Sequence, residues 1–404
     1  MNGESVLITD GEVHFAMAVL RSLGKQGIPI TVASEDKEAL AAYSRYCTNF
    51  VLYPSAKKNV AFFVKSLSEY VKRSKFELLI PLGDLTLWPI SAARERFKPY
   101  VKFPFPSHSS IRRVFNKAET VKLAEEQDVP TPKTFHIRNI SQLKRVSEKI
   151  SYPAVIKPRF SWFWSRGKTT TRFNIRPEYV TSHRELLVKY LEIHEKCPFP
   201  MIQEYIPGQN YSVAVLCNDS KIKAYCFIKV HRAIPITGGN STFRESVEPN
   251  FKMMRYVSKL MKALNWHGIA EVEFRLDERD FAPKFMEINA RFWGSLQTAI
   301  LAGVDFPYLL YKLATEGNVP AVNNYKIGVK NRWLSGDIQH LIGVLKSNYL
   351  VKKLIGRSKW QTFMEFLNFP GNKYDCLCPK DLVPFFISLK RWRMCYKNYK
   401  LTKG

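Results

Sequence analysis

The chain opens with an apolar run, "SVLITD" at residues 5–10, and then places its apolar residues at helical spacing through "EVHFAMAVLRSLGKQG". Gly27 ends that pattern and "IPITVAS" returns to a strand pattern, so the first segment predicts a β-α-β unit. "FELLIPLGD" at 76–84 predicts another buried strand, with Gly83 and Asp84 at its carboxyl end and a helix from Leu85 to about Phe97. Residues 1–107 therefore predict a small open parallel α/β layer. The proline-rich "FPFPSH" at 103–108 predicts a hinge.

Beyond the hinge the pattern changes character. Helices are expected through "AETVKLAEEQ" and "SQLKRVSEKI", and strands at "YPAVIKP", "KTTTRFN", "PMIQEYI", "YSVAVLC" and "KIKAYCFIKV". The helical "FKMMRYVSKLMKALNW" leads into two more strands, "GIAEVEFRLD" and "PKFMEINA", with "ERDFA" as the turn between them. Residues 108–320 thus predict an α+β domain of strong antiparallel character, with a lid subdomain over about 118–200, and 321–404 a basic C-terminal extension.

Composition narrows the class. The 404 residues are 46% apolar, enough for two or three cores, and no run approaches the length of a membrane-spanning helix. The acidic start "MNGESVLITDG" enters a strand directly and does not read as a secretory signal, which leads to the expectation of a cytoplasmic protein. Seven scattered cysteines give no zinc-site spacing. The turn after the first strand reads "TDGEVHFAMA" and lacks the G-x-G-x-x-G of a dinucleotide site.

The formal charge of +27 is uneven: from Lys326 onward there are 16 Lys and Arg against 4 Asp and Glu. "SLKRWRMCYKNYK" at 388–400 interleaves cations with Trp392, Tyr396 and Tyr399, a composition suited to an anionic polymer or to peripheral binding at the inner face of a membrane. A solvated basic face is the other reading. No zinc finger, RNP motif or heptad repeat points to a specific nucleic-acid partner.

Candidate chemistry gathers on the last two strands. In "AEVEF", Glu271 and Glu273 share one face; in "FMEINARFWGS", Glu287, Asn289 and Arg291 share another. Pairing the strands brings Glu273 near Glu287, and two carboxylates side by side require a cation. Carboxylate and amide oxygens at this spacing suit Mg²⁺. An exposed hairpin face with ordinary salt bridges would use the same residues. Upstream, Lys157 ends an apolar strand, Lys117 stands at a helix start, and "FSWFWSRGKTT" supplies Ser165, Arg166, Gly167, Lys168 and Thr169 as donors able to close over phosphates.

Taken in order, lysine, lysine, loop, "QEYIPG", then "EVEF" and "MEINAR", these motifs resemble the ATP-grasp superfamily of carboxylate-amine ligases, over about residues 1–320. The resemblance implies an ATP-grasp fold with a pre-ATP-grasp first domain, and an ATP-dependent ligase that makes an amide through an acyl phosphate. It implies that Lys117, Lys157 and the loop hold the ATP phosphates. Glu204 would face the adenine amino group, with Tyr205 and Ile206 beside it and Asn210 toward the sugar, where several relatives have an acid. Glu273, Glu287 and Asn289 would hold Mg²⁺, with Mn²⁺ as a substitute, and Arg291 with Lys157 would meet the transferred phosphoryl group. The loop departs from relatives in having one glycine and the bulky Trp162 and Trp164.

"HRAIPITGGNSTFRES" at 231–246 is read as contributing to a substrate site, with His231, Arg232 and Arg244 gripping an anion and Gly238 and Gly239 permitting close backbone approach; a plain hairpin is the rival. The partners expected are a small carboxylate and an amine, with room for a homo-oligomer. The alternative function is a non-catalytic nucleotide-binding module tethered by its basic tail.

Overall fold

The computed structural model describes residues 5–160, 177–347, 358–368 and 370–390. The first layer consists of β1 (Val6–Ile8), α1 (Ala16–Lys25), β2 (Ile30–Ser34), β3 (Asn49–Leu52), α2 (Val60–Arg73), β4 (Leu78–Ile80) and α3 (Asp84–Ala92). Its four strands are all parallel, in the order β3-β2-β1-β4. Alternation along β1 explains the layering: Val6 and Ile8 enter one core with α1, while Leu7 enters a second with Phe63 of α2. The β1 and β4 strands are adjacent, so the loops after them, carrying Asp10 and Gly83–Asp84, emerge side by side.

Two helices, α4 (His108–Phe115) and α5 (Lys117–Glu126), follow the hinge. The Asn116 side chain caps α5 by accepting from the Ala118 N–H at 3.2 Å, which fixes Lys117 as the first helical residue. α5 packs against the helix Phe251–Ala263 and the strand Pro283–Asn289, and so belongs beside the large sheet. Where the sequence leads to the expectation of a lid there is a separate four-stranded antiparallel sheet, ordered β5-β8-β6-β7, from β5 (Thr134–His136), β6 (Ala154–Lys157), β7 (Glu178–Val180) and β8 (Met201–Glu204). Its helices α6 (Ser141–Lys149) and α7 (His183–Lys196) close a core around Ile156, Leu186 and Tyr190.

The chain passes from lid to large sheet through Tyr205–Pro207. Gly208 at that crossing has φ +133°, and a Cβ there would lie 2.0 Å from the Leu276 carbonyl oxygen, so only glycine fits. The large sheet runs β13-β12-β9-β10-β11-β14-β15. It comprises β9 (Gly208–Asn218), β10 (Lys221–Ile234), β11 (Asn240–Ser246), β12 (Gly268–Asp277), β13 (Pro283–Asn289), β14 (Lys330–Arg332) and β15 (Lys373–Tyr374). One face is covered by α8 (Phe251–Ala263), α9 (Leu296–Ala302) and α10 (Phe306–Glu316), whose apolar side chains share one core with α1. Beyond them lie α11 (Leu334–Lys346) and α12 (Lys359–Leu367).

The region after residue 320 is woven into this body as far as it is described. β14 and β15 extend the sheet, and Asp381 accepts from Arg21 Nε at 2.8 Å and from the Ser44 hydroxyl at 2.7 Å. Arg21 also donates to the carbonyls of Asp375, Cys376 and Asp381. Residues 375–381 thus strap the first layer to the far edge of the large sheet. The sequence pattern does not disclose the strands β3, β5, β7, β14 and β15: each is short, and β3 exposes Asn49 and Leu52, while the expected strand "KTTTRFN" lies outside the described residues.

Candidate active site

The β12–β13 hairpin builds the centre. Glu273 stands opposite Glu287, and Glu271 opposite Asn289, each pair on the cleft face. A bulge interrupts the register between Glu273 and Phe274, the extra residue being Met286. It lets Phe285 and Ile288, three positions apart, both enter the core while Glu287, Asn289 and Arg291 keep facing the cleft. Asn289 locks the acids by donating to Glu271 at 3.0 Å and to Glu273 at 2.9 Å. Ser295 adds a bond to Glu271 at 3.1 Å.

Both upstream lysines converge on these acids. Lys117 Nζ lies 2.6 Å from Glu287 Oε2, which offsets the mismatch of a cation in the first turn of a helix. Lys157, at the end of β6, faces the same group from the lid side. Burial and the neighbouring Lys117 ammonium push its pKa down to about 8, against the pull of Glu287 and Glu273. Glu273 is pushed well up by burial, by Glu287 and by Glu271. Burial also raises Glu287, but Lys117, Lys157 and Arg291 outweigh it and hold that carboxyl below its usual range. The site is therefore a group of crowded acids faced by the cations Lys117, Lys157 and Arg291.

Among the described residues no three His, Cys, Asp or Glu side chains are grouped to hold a metal unaided. The donor set nevertheless suits a hard divalent ion completed by phosphate oxygens: Glu273 and Glu287 side by side, the Asn289 amide beside them, and an ammonium already drawn to Glu287.

The first layer supplies a wall that the sequence did not disclose. Asp84, in the first turn of α3, accepts from Arg291 Nε at 2.8 Å, and the two residues help to line one cleft with Phe115, Lys117, Glu287 and Asn289. His14 stacks on Trp333 at 4.3 Å between centroids. Burial, with Arg244 and Arg291 nearby, lowers its pKa to about 3, so it is neutral. Asp10 is buried, accepting from Thr9, Thr86 and the Gly83 N–H, and burial followed by Asp10 raises Glu12 to about 7. A glycine-aspartate pair at a strand end was visible at 83–84, but its partner lies 207 residues away.

The "QEYIPG" segment lies where lid and large sheet meet. Glu204 accepts from the Lys133 N–H at 2.9 Å and lies 3.5 Å from Arg279. The Tyr205 ring lies under the Arg275 guanidinium at 5.1 Å, Ile206 is buried, and Asn210 pairs with Arg275 across β9 and β12. Ser165, Arg166, Gly167, Lys168 and Thr169, with Trp162 and Trp164, lie outside the described residues.

The 231–246 segment needs correction. It forms the β10–β11 hairpin, with Gly238 and Gly239 at its tip, where the Tyr179 hydroxyl of the lid donates to the Thr237 carbonyl. Arg232 and Arg244, read as anion grips, are buried in ion pairs. Asp337 takes Arg232 through two bonds of 2.6 and 2.7 Å, and Asp375 takes Arg244 at 2.8 Å. His231 is drawn to Glu245 at 2.7 Å. A buried guanidinium needs a carboxylate more than a surface one does, and partners more than ninety residues downstream were invisible in the local pattern.

The comparisons agree with this geometry. Residues 196–336 match the family model described as ATP-grasp in the biosynthetic pathway with Ter operon. The chain is 24% identical over 305 residues to a D-aspartate ligase of Enterococcus faecium, covering 71% of this chain and 70% of that protein. Biotin carboxylase from Campylobacter jejuni superposes with a TM-score of 0.65 at 15% identity, covering 81% of this chain and 74% of the other. An L-amino acid ligase from Bacillus licheniformis gives 0.59 at 16%, covering 77% and 74%. With its lid, its acid hairpin and these likenesses, the chain has an ATP-grasp fold, and residues 196–336 match an ATP-grasp family model.

Proposed function

We propose that this protein is an ATP-dependent ligase that activates a small carboxylate as an acyl phosphate and joins it to an amine. The observation that carries the reading is the convergence of Glu273, Glu287 and Asn289 with Lys117 and Lys157, closed on the far side by Arg291. Nothing in the packing of an antiparallel hairpin calls for that combination. The described relatives named for ligase activity, a D-aspartate ligase and an L-amino acid ligase, favour the same chemistry.

A free carboxylate resists amines because oxide is a poor leaving group and the anion repels nucleophiles. Attack of the carboxylate oxygen on the γ-phosphorus of ATP breaks the bond to the β-phosphate oxygen, releases ADP and converts the oxide into a phosphate leaving group. The amine nitrogen then adds to the acyl carbon, phosphate departs, and the ammonium proton is lost to solvent or to a cleft base. Lys117 and Lys157 would neutralise the polyphosphate, and Arg291 would hold the transferring oxygens. Glu273, Glu287 and Asn289 would hold Mg²⁺, which in that position lowers the repulsion between phosphate oxygens and the incoming carboxylate. Glu204, Tyr205, Ile206 and Asn210 would line the adenosine side, and Ser165 to Lys168 would cover the phosphates.

The test is release of ADP and phosphate from Mg-ATP that depends on an added carboxylate and amine, screened first over amino acids, with mass spectrometry of the product. An amide product supports the reading. ATP binding without turnover across a broad panel would favour a nucleotide-binding module instead.

A further inference from the structure

Outside the cleft, the region after residue 326 sorts its charges by side. All four of its acids point at arginines: Asp337 at Arg232 and Arg332, Asp375 at Arg244, Asp381 at Arg21, and Glu365 at Arg232 at 4.0 Å. Its lysines do the opposite, and Lys326, Lys330, Lys346, Lys359, Lys373, Lys380 and Lys390 are all exposed. Asp337, Asp375 and Asp381 are buried, Glu365 on α12 stays exposed, and the outer surface is cationic on balance.

Within that surface α12 turns an apolar face to solvent. Trp360, Met364 and Leu367 follow one another at helical spacing and are 68%, 49% and 45% exposed. Leu345, at the end of α11, is 44% exposed, and its carbonyl accepts from Lys359 Nζ at 2.6 Å, so the two helices present one continuous surface. An exposed tryptophan in a row with methionine and leucine is not needed for the core beneath, which α12 reaches through the buried Thr362.

We infer that this face of α11 and α12 docks the protein on an anionic lipid surface, with Trp360, Met364 and Leu367 entering the headgroup boundary and the flanking lysines meeting lipid phosphates. Charge decides among occupants. A second copy would bring an equally cationic face and be repelled, and the protruding apolar row has no counterpart on a phosphodiester backbone, whereas an anionic bilayer offers opposite charge above a hydrocarbon layer. The inference does not depend on the ligase reading, since the face lies apart from the cleft residues.

The test uses the full chain and sedimentation with vesicles of phosphatidylcholine alone or mixed with phosphatidylglycerol. The expected result is binding to the mixed vesicles, weakened by salt. The double substitution Trp360→Glu with Met364→Glu should lower partitioning about tenfold or more, from the loss of apolar contact and added repulsion. Its melting temperature should match the parent, because both side chains are exposed. A chain ending after Lys390 should keep the larger part of the binding. Failure to bind mixed vesicles, equal binding by the double variant, or complete loss in the shortened chain alone would overturn the inference. So would a self-association that the double variant abolishes.

Discussion

Lys117 Nζ rests 2.6 Å from Glu287 Oε2, joining the first residue of a helix to a strand 170 positions later. The lysine that we propose for phosphate thus neutralises the acid that we propose for metal, so the two binding events would be coupled electrostatically.

The first prediction concerns that acid. Glu287→Gln keeps volume but removes the charge that faces Lys117, Lys157 and Arg291. Turnover should fall about a hundredfold or more, and the stabilisation of the ATP complex by Mg²⁺ in thermal unfolding should vanish. Activity at the parent level would remove Glu287 from the metal site.

A second prediction concerns pH. The Lys157 pKa is about 8 in the folded protein against an ordinary 10.5. Between those values the unfolded chain binds the extra proton, so this group makes the free protein more stable as pH rises from about 8 toward 10.5. Nucleotide prefers the charged ammonium, so ATP affinity should hold below about pH 8 and weaken above it, by up to about tenfold per pH unit for one linked proton. Denaturant unfolding of the free protein and calorimetry of ATP binding across that range, each repeated with Lys157→Met, check the two signs; the variant should bind more weakly and lose both slopes.

Between the first layer and the acid hairpin, Asp84 holds Arg291 with a 2.8 Å bond. Asp84→Asn should leave ATP affinity within about twofold and lower turnover about tenfold or more, because the guanidinium loses its anchor while the phosphate lysines stay in place. Separate measurement of nucleotide binding and product formation distinguishes this from general damage.

Stability offers a fourth test. Asp337 is fully buried between Arg232 and Arg332. Asp337→Asn strands two guanidiniums away from water and should cost about 3–5 kcal/mol in denaturant unfolding. A far smaller loss would mean that the two arginines find other partners.

Much of the cleft was legible because strand alternation is strict. Glu273 and Glu287 sit opposite each other as the spacing implied, and Asn289 and Arg291 keep to their side. The bulge at Met286 was not legible, since a single inserted residue leaves no composition signal, although it is what reconciles Phe285 in the core with Glu287 in the cleft. Arg232 and Arg244 were misread for a related reason: a cation near glycines has the same local pattern whether its carboxylate is a ligand or Asp337 and Asp375 further along the chain. Asp84 was visible as a strand-end acid, but its alignment with Arg291 depends on how two separate sheets meet. Local pattern carries register; it carries no information about which distant surfaces will face each other.

The strap also sets an order of assembly during synthesis. Asp381 emerges 360 residues after Arg21, yet it is the carboxylate that receives that buried guanidinium. The first layer, which can fold early on a growing chain, must wait with a charged side chain unmatched until almost the whole described protein has been made. A nascent chain halted before the strap would hold the first layer against the cleft through the core shared by α1, α9 and α10 and through the Asp84–Arg291 bond, with Arg21 unmatched, so the last charge on that interface is neutralised only when synthesis is nearly over.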